Sequence, residues 1–368
     1  MRLSACIFAL VATYAQACIN DRDTLAFEIR NIDALNRIEK ELDPVKRASA
    51  VEELALRAIG GRFERFPARY YQMRIERLER QGRLSAAEYD DLAVAYDRLG
   101  DVDKAIRILV ASKGRRTTPD GRYRFHANYG TFLVHRWIKN GHTKSDRSTL
   151  QASIAQIETA LKINPSSHFG RERVQLILQK SWLNRSEISW QDHKFDAGDQ
   201  VVGLAGIAMM GLGYELPDIY EQIARSWIAG AAEESILGTL ARARAQELIA
   251  SGHPAIIDPG RDNAFENWEE AREPYGRLRQ DGDTVHQARL AYMSERFDRG
   301  EHPDTNPKFW SEWKEPAVPY LQRIESDGKP FPIEQVLAVA IPTLIVLFVG
   351  LWFVGRWLVR IYRRFRLR

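Results

Sequence analysis

The stretch "AAEYDDLAVAYDRLGDVDKAIRILVAS", Ala86 to Ser112, carries two apolar stripes of helical period around a single glycine. Tyr89, Leu92, Ala93 and Tyr96 recur at three- and four-residue spacing and so share one helix face; Ala105, Ile106 and Leu109 repeat the pattern beyond Gly100. Glycine enters left-handed backbone without a Cβ penalty, so Gly100 ends the first helix and Gly100-Asp101 leaves room only for a tight reversal. Ala93 and Ala105 are small enough to let the two helices approach closely. An antiparallel helical hairpin is the expected result. Similar amphipathic stretches fall at roughly 45–59, 67–81, 122–139, 149–163, 167–184, 200–212, 217–229, 232–250, 262–279 and 284–298, and no run alternates with the period of two that a half-buried strand requires. The expected fold class is all-α.

The order aromatic, Leu, small, Tyr, Gly, Ala in this unit resembles the tetratricopeptide (TPR) repeat. A second unit resembles it through His126, Tyr129, Gly130 and Leu133, followed by Ile157, Ala160, Leu161 and Pro165, with a polar insertion of about eleven residues over 139–149. A looser third unit begins at Tyr220 with Ile223, Ala224 and Trp227, before the alanine-rich "ESILGTLARARAQEL". The resemblance implies a helical-hairpin solenoid over 67–304, preceded by a helical segment over 18–66, and it implies binding of an extended or helical peptide on the concave face. The positions that would line that face are Asp90, Val94, Asp97 and Arg98 in the first unit and Arg124, Ala127, Thr131 and His135 in the second, with Asn128 beside Ala127 able to reach the same groove. Family members that hold a C-terminal carboxylate use a Lys and an Asn where this chain has Asp90 and Val94, so a different ligand is implied.

Both ends speak of a membrane. Arg2, an apolar run from Leu3 to Tyr14 and Ala15-Gln16-Ala17 have the form of a secretory signal peptide over 1–17. Cleavage there makes Cys18 the first mature residue, where a lipoprotein signal would place its acylated cysteine; Ala15 stands where such signals carry Leu, which favours a plain new N-terminus. From Gln335 to Gly355, 21 residues pass without a charge. As a helix they reach about 32 Å, enough for the hydrocarbon core of a bilayer. The tail 356–368 carries six arginines and no acid, which orients this transmembrane helix with its C-terminus in the cytoplasm and the body outside it. The whole order of leader, repeat body and anchor resembles bacterial exported TPR proteins, and the localisation this implies is the cytoplasmic membrane with a periplasmic body. In "NPKFWSEWKEP", Phe309, Trp310 and Trp313 fall on one face of a short helix; within a capping or juxtamembrane segment over 305–334 they either cap the array, the favoured reading, or rest on lipid.

Chemistry is harder to find. The formal charge of +4 belongs to the ends: residues 1–17 and 335–368 hold seven of the 53 basic residues and none of the 49 acids, so the rest is slightly acidic and no nucleic-acid surface is implied. Two cysteines, both within the first 18 residues, exclude a disulfide framework and a cysteine zinc site. No phosphate loop, nucleophile elbow or zinc-protease pattern occurs, and no cofactor or metal is implied. His126, His135 and His142 do not share one helix face and are read as ordinary core or surface residues. "SHFGRE" offers His168 beside Glu172 as an alternative enzymatic site; the simpler reading makes Ser167 a helix cap with Arg171 and Glu172 solvated. "DGDT" at Asp281 to Thr284 reads as a turn with Thr284 starting the next helix. The functional expectation is a membrane-anchored scaffold, not an enzyme, that binds a protein or peptide, with a purely structural envelope role as a further alternative.

Overall fold

The computed structural model describes residues 20–24, 26, 44–143, 146–165, 170–193, 196–209, 212–228, 236–256 and 268–317. They are all-α, with no strand among the described residues. The leader with Cys18, the His168 neighbourhood and the apolar segment 335–355 lie outside them. Among the described residues no helix is long and apolar enough to cross a membrane.

The helices are α1 (Pro44–Gly60), α2 (Ala68–Glu79), α3 (Ala86–Arg98), α4 (Val102–Ala111), α5 (Pro119–Lys139), α6 (Arg147–Ile163), α7 (Arg171–Asn184), α8 (Ala197–Met209), α9 (Pro217–Ile228), α10 (Ile236–Ala250) and α11 (Trp268–Asp298). From α2 onward each helix packs on the next in the chain, most extensively α5 on α6, α9 on α10 and α3 on α4. The α3–α4 hairpin forms for the reasons its sequence carries. Ser85 and Glu88 close a capping box at the start of α3, and Asp101 caps α4 by accepting from the Lys104 N–H at 3.0 Å. Gly100 between them has φ +83°, its N–H reaching Asp97 O and the Asp101 N–H reaching Tyr96 O, each at 2.9 Å. Ala93 and Ala105 are fully buried in the seam with Leu109 and Phe132.

The order of packing does not stay linear. α1 lies against α8, α10 and α11, so the first of these helices meets the last. The crossing of α1 and α11 is backbone on backbone: a Cβ on Gly282 would sit 2.0 Å from the Gly60 carbonyl oxygen. This corrects the reading of Asp281–Thr284 as a turn. Those residues run inside α11, which is continuous through the predicted break between 279 and 284, and the glycine serves close approach instead of chain reversal.

A second joint lies at the other end of α11. Met293 and Phe297 pack with Tyr70, Tyr71, Ile75 and Leu78 of α2 and with Phe309 beyond the helix. Phe309 is 1% exposed, and Tyr292 stacks on Trp310 at 5.6 Å and meets Trp313 edge-on at 5.4 Å. The aromatic residues of "NPKFWSEWKEP" therefore cover the α2–α11 joint; they sit in consecutive turns, not in the short helix their spacing predicts. Pro307, two residues before Phe309, lacks the N–H a continuing helix needs.

Candidate binding groove

The groove positions named from the repeat pattern come together on α3 and α5, and part of the chain already lies against them. Asn128 is fully buried; its Oδ1 accepts the Asn20 N–H at 2.6 Å and its Nδ2 donates to the Asn20 carbonyl at 3.2 Å. Arg124 reaches the same carbonyl at 3.4 Å. Behind them Asp90, 1% exposed, accepts from Arg116 at 2.7 Å and from Asn128 at 3.1 Å, and it pairs with Arg124 at 3.2 Å. Burial raises the Asp90 pKa against the pull of those two guanidinium groups. Val94 is fully buried in the α3–α4 core. Thr131 accepts from Gln175 of α7 at 3.2 Å, which ties the groove floor to the following helices.

Beyond Asn20 the chain turns into a short helical stretch, Arg22–Thr24, whose first turn is capped by Asp21 Oδ1 accepting from the Thr24 N–H at 3.0 Å. Arg22 is held by Asp91 through its backbone N–H at 2.9 Å and its Nε at 2.8 Å. Asp23 meets Arg74, a side chain with no exposure at all, at 2.8 and 3.0 Å. The same guanidinium donates to Asp304 at 2.7 and 2.9 Å and to the Tyr70 hydroxyl at 2.6 Å. Hydrogen bonds from Arg74 and the charges around it hold the Asp304 carboxyl well below the usual carboxylate range, despite its burial. His302 orients this corner: its Nδ1 accepts the Asp304 N–H at 3.1 Å, so the proton sits on Nε2, facing the Tyr70 carbonyl at 3.1 Å. Burial depresses its pKa. One arginine thus joins the N-terminal segment, α2 and the stretch after α11.

A cleft lies beside the segment at the C-terminal end of α3. Asp97, in contact with His135 Nδ1 at 2.9 Å, and Arg98 line this cleft of about 250 Å³ with Asp21, Tyr71, Phe63 and Tyr214. Asp97 and His135 are both buried. Arg98 is partly exposed and bonded within the chain. Of the positions named from sequence, Arg124 and Asn128 therefore grip the N-terminal segment, with Asp90 holding both of them from behind. Asp97 and Arg98 face the cleft, and Val94, Ala127 and Thr131 are buried structure.

Sequence spacing alone missed Arg74, Asp304 and the Asn20–Thr24 segment. The one available signal was an Arg amid the apolar face of "YYQMRIERL", where a charge demands a partner. Around "SHFGRE", Arg171 and Glu172 are buried, not solvated: Glu172 accepts from the buried Tyr123 hydroxyl at 2.5 Å, and the Arg171 stem packs where Gly206 of α8 leaves space. Ser167 and His168 lie outside the described residues, and α7 begins at Arg171 after Gly170. His126 pairs with Gln156 at 2.7 Å, and no group of His, Cys, Asp and Glu able to hold a metal occurs among the described residues. Comparison with protein-family models, with curated proteins and with solved structures gives no match to this chain.

Proposed function

We propose that the chain is a membrane-tethered scaffold: a TPR-like array of helical hairpins, held on the extracytoplasmic side by the 335–355 span, that binds a protein or peptide along the groove of α3 and α5. The observation that carries this reading is the grip of Asn128 on both polar groups of the Asn20 backbone. A side-chain amide that takes a main-chain N–H and C=O together recognises chain as such, whatever side chain it bears. The groove therefore has the chemistry of a polypeptide receptor, with its own N-terminal segment in one half and a cleft at Asp97 and Arg98 in the other. In this reading the partner enters the open half.

The test is photo-crosslinking in intact membranes from a photoreactive residue at position 98, with position 180, on α7 and half-exposed, as control. A discrete adduct from 98 and none from 180 is expected. Equal labelling from both, or none from 98, overturns the proposal.

A further inference from the structure

We propose that the open cleft is a receptor site for an organic cation, the amine or guanidine that ends a basic side chain of the partner. This inference rests on the scaffold reading for its biological source, but the site is tested independently of any partner.

Three observations point the same way. The first is size: about 250 Å³ is several times the roughly 30 Å³ that one water occupies, so the cleft admits an alkyl-guanidinium or alkyl-ammonium group. The second is the wall. Phe63, Phe66, Tyr71 and Tyr214 contribute aromatic rings, and ring faces attract cations. The protein's own Arg65 already uses two of them, lying 5.0 Å from the Tyr214 centroid and 5.9 Å from Phe63, with Asp283 at 3.6 Å. The third is an incomplete carboxylate. Asp21 lines the cleft and is 3% exposed; Oδ1 takes the Thr24 N–H, but among the described residues the cation nearest Oδ2 is Arg74 Nη1 at 3.6 Å, outside hydrogen-bond reach. Arg74 is engaged by Asp23 and Asp304 instead.

Five carboxylates and two guanidinium groups line the cleft, so its sign stays negative. Asp23 is held by Arg74 and Asp97 by His135, Glu64 and Arg98 are engaged within the chain, Arg65 lies on Tyr214 near Asp283, and Glu215 is exposed. An anionic ligand would meet Asp21 and Glu215 as well as Arg65. A neutral one would leave Asp21 as it is. A cation supplies the donor that Oδ2 lacks.

Burial, together with the neighbouring Asp23 and Asp91, raises the Asp21 pKa to about 7, and Arg74 opposes the rise. Asp23 on its own segment, Arg74 on α2 and Asp91 on α3 are the charged groups that act on it. A cation bound at Oδ2 favours the ionised form, so binding at neutral pH expels part of a proton.

The experiment is calorimetric titration of the purified full chain in detergent with N-butylguanidine and with its neutral isostere N-butylurea. The expected result is at least a tenfold preference for the guanidine. Its enthalpy at pH 7 should depend on the ionisation heat of the buffer, and that dependence should vanish at pH 9. Asp21→Asn should lose the preference and the proton release together. Should Asp21→Asn fail to fold, Glu215→Gln at the exposed rim should weaken guanidine binding by a few-fold. Equal binding of the two ligands, or no proton release at pH 7, overturns the inference. Guanidine binding without an adduct from position 98 would sink the scaffold reading and leave this site standing; the reverse pattern would do the opposite.

Discussion

Replacing Arg74 by Met tests how much of the body depends on one buried guanidinium. Met fills a similar volume with no charge, so the change removes interactions more than packing. Breaking a buried ion pair by removing one partner costs about 3–5 kcal/mol, because the abandoned charge stays buried. The local geometry places this case at the lower end. Asp304 would keep Arg77 at 2.9 Å and Arg22 at 3.5 Å, whereas Asp23 would keep only the Tyr70 hydroxyl and is itself 17% exposed. The expected loss is about 3 kcal/mol, or about 6 °C at roughly 2 °C per kcal/mol for a body of this size. The assay is thermal unfolding of the full chain in detergent micelles, followed by circular dichroism at 222 nm and pH 7.5. Adding Asp23→Asn to Arg74→Met should recover part of the loss, since the orphaned carboxylate is then gone. A midpoint within about 1 °C of wild type for Arg74→Met would refute the reasoning, because the network would then hold nothing together.

Other perturbations reach different joints. Gly282→Ala puts a methyl 2.0 Å from the Gly60 carbonyl, so α1 and α11 must separate; hydrogen exchange should accelerate in both helices while α5 and α6 keep their protection. Asn128→Leu leaves the Asn20 N–H without its partner and the Asn20 carbonyl with Arg124 alone, and should cost about 1–3 kcal/mol, read from denaturant midpoints, whereas Asn128→Asp should lose more, because its new carboxyl oxygen faces Asp90 and the Asn20 carbonyl. The Asp21 pKa is raised from 3.8 to about 7 on folding, so the stability this group contributes is complete below pH 3.8 and drains away as pH rises through 7. Between pH 6.5 and 8, above the ordinary histidine pKa of 6.5, wild type should lose stability relative to Asp21→Asn; parallel profiles would contradict the burial argument.

What could be read in advance was whatever depends on neighbours in sequence. The α3–α4 hairpin follows from a helical period, two alanines and one glycine within 27 residues, and each plays its expected part. That Asp90, Arg124 and Asn128 lie near one another on α3 and α5 follows from the same local period. The segment held there does not, because Asn20 stands 108 residues from Asn128 and nothing in "CINDRDT" advertises the contact. "DGDT" misled because Asp-Gly favours turns locally, while the cause of that glycine is the Gly60 carbonyl, far earlier in the chain. Arg171 and Glu172 misled in the same way: a charged pair at a helix start is usually wet, and the Tyr123 hydroxyl that Glu172 accepts from in the interior stands 49 residues away.

The crossing at Gly60 and Gly282 bears on how the body comes apart. In a linear hairpin array each unit touches only its neighbours, so the terminal helices fray first and unfolding travels inward unit by unit. Here α1 is braced by α8, α10 and α11, so its loss would uncover three helices at once. Peeling from the N-terminal side is thus a concerted event with a single steep transition, not a series of small ones. The cost falls on assembly: the final contact joins the first and last helices of the described series, so the ring of contacts cannot close until α11 has been synthesised. Until then α1 carries a surface destined for a helix that does not yet exist.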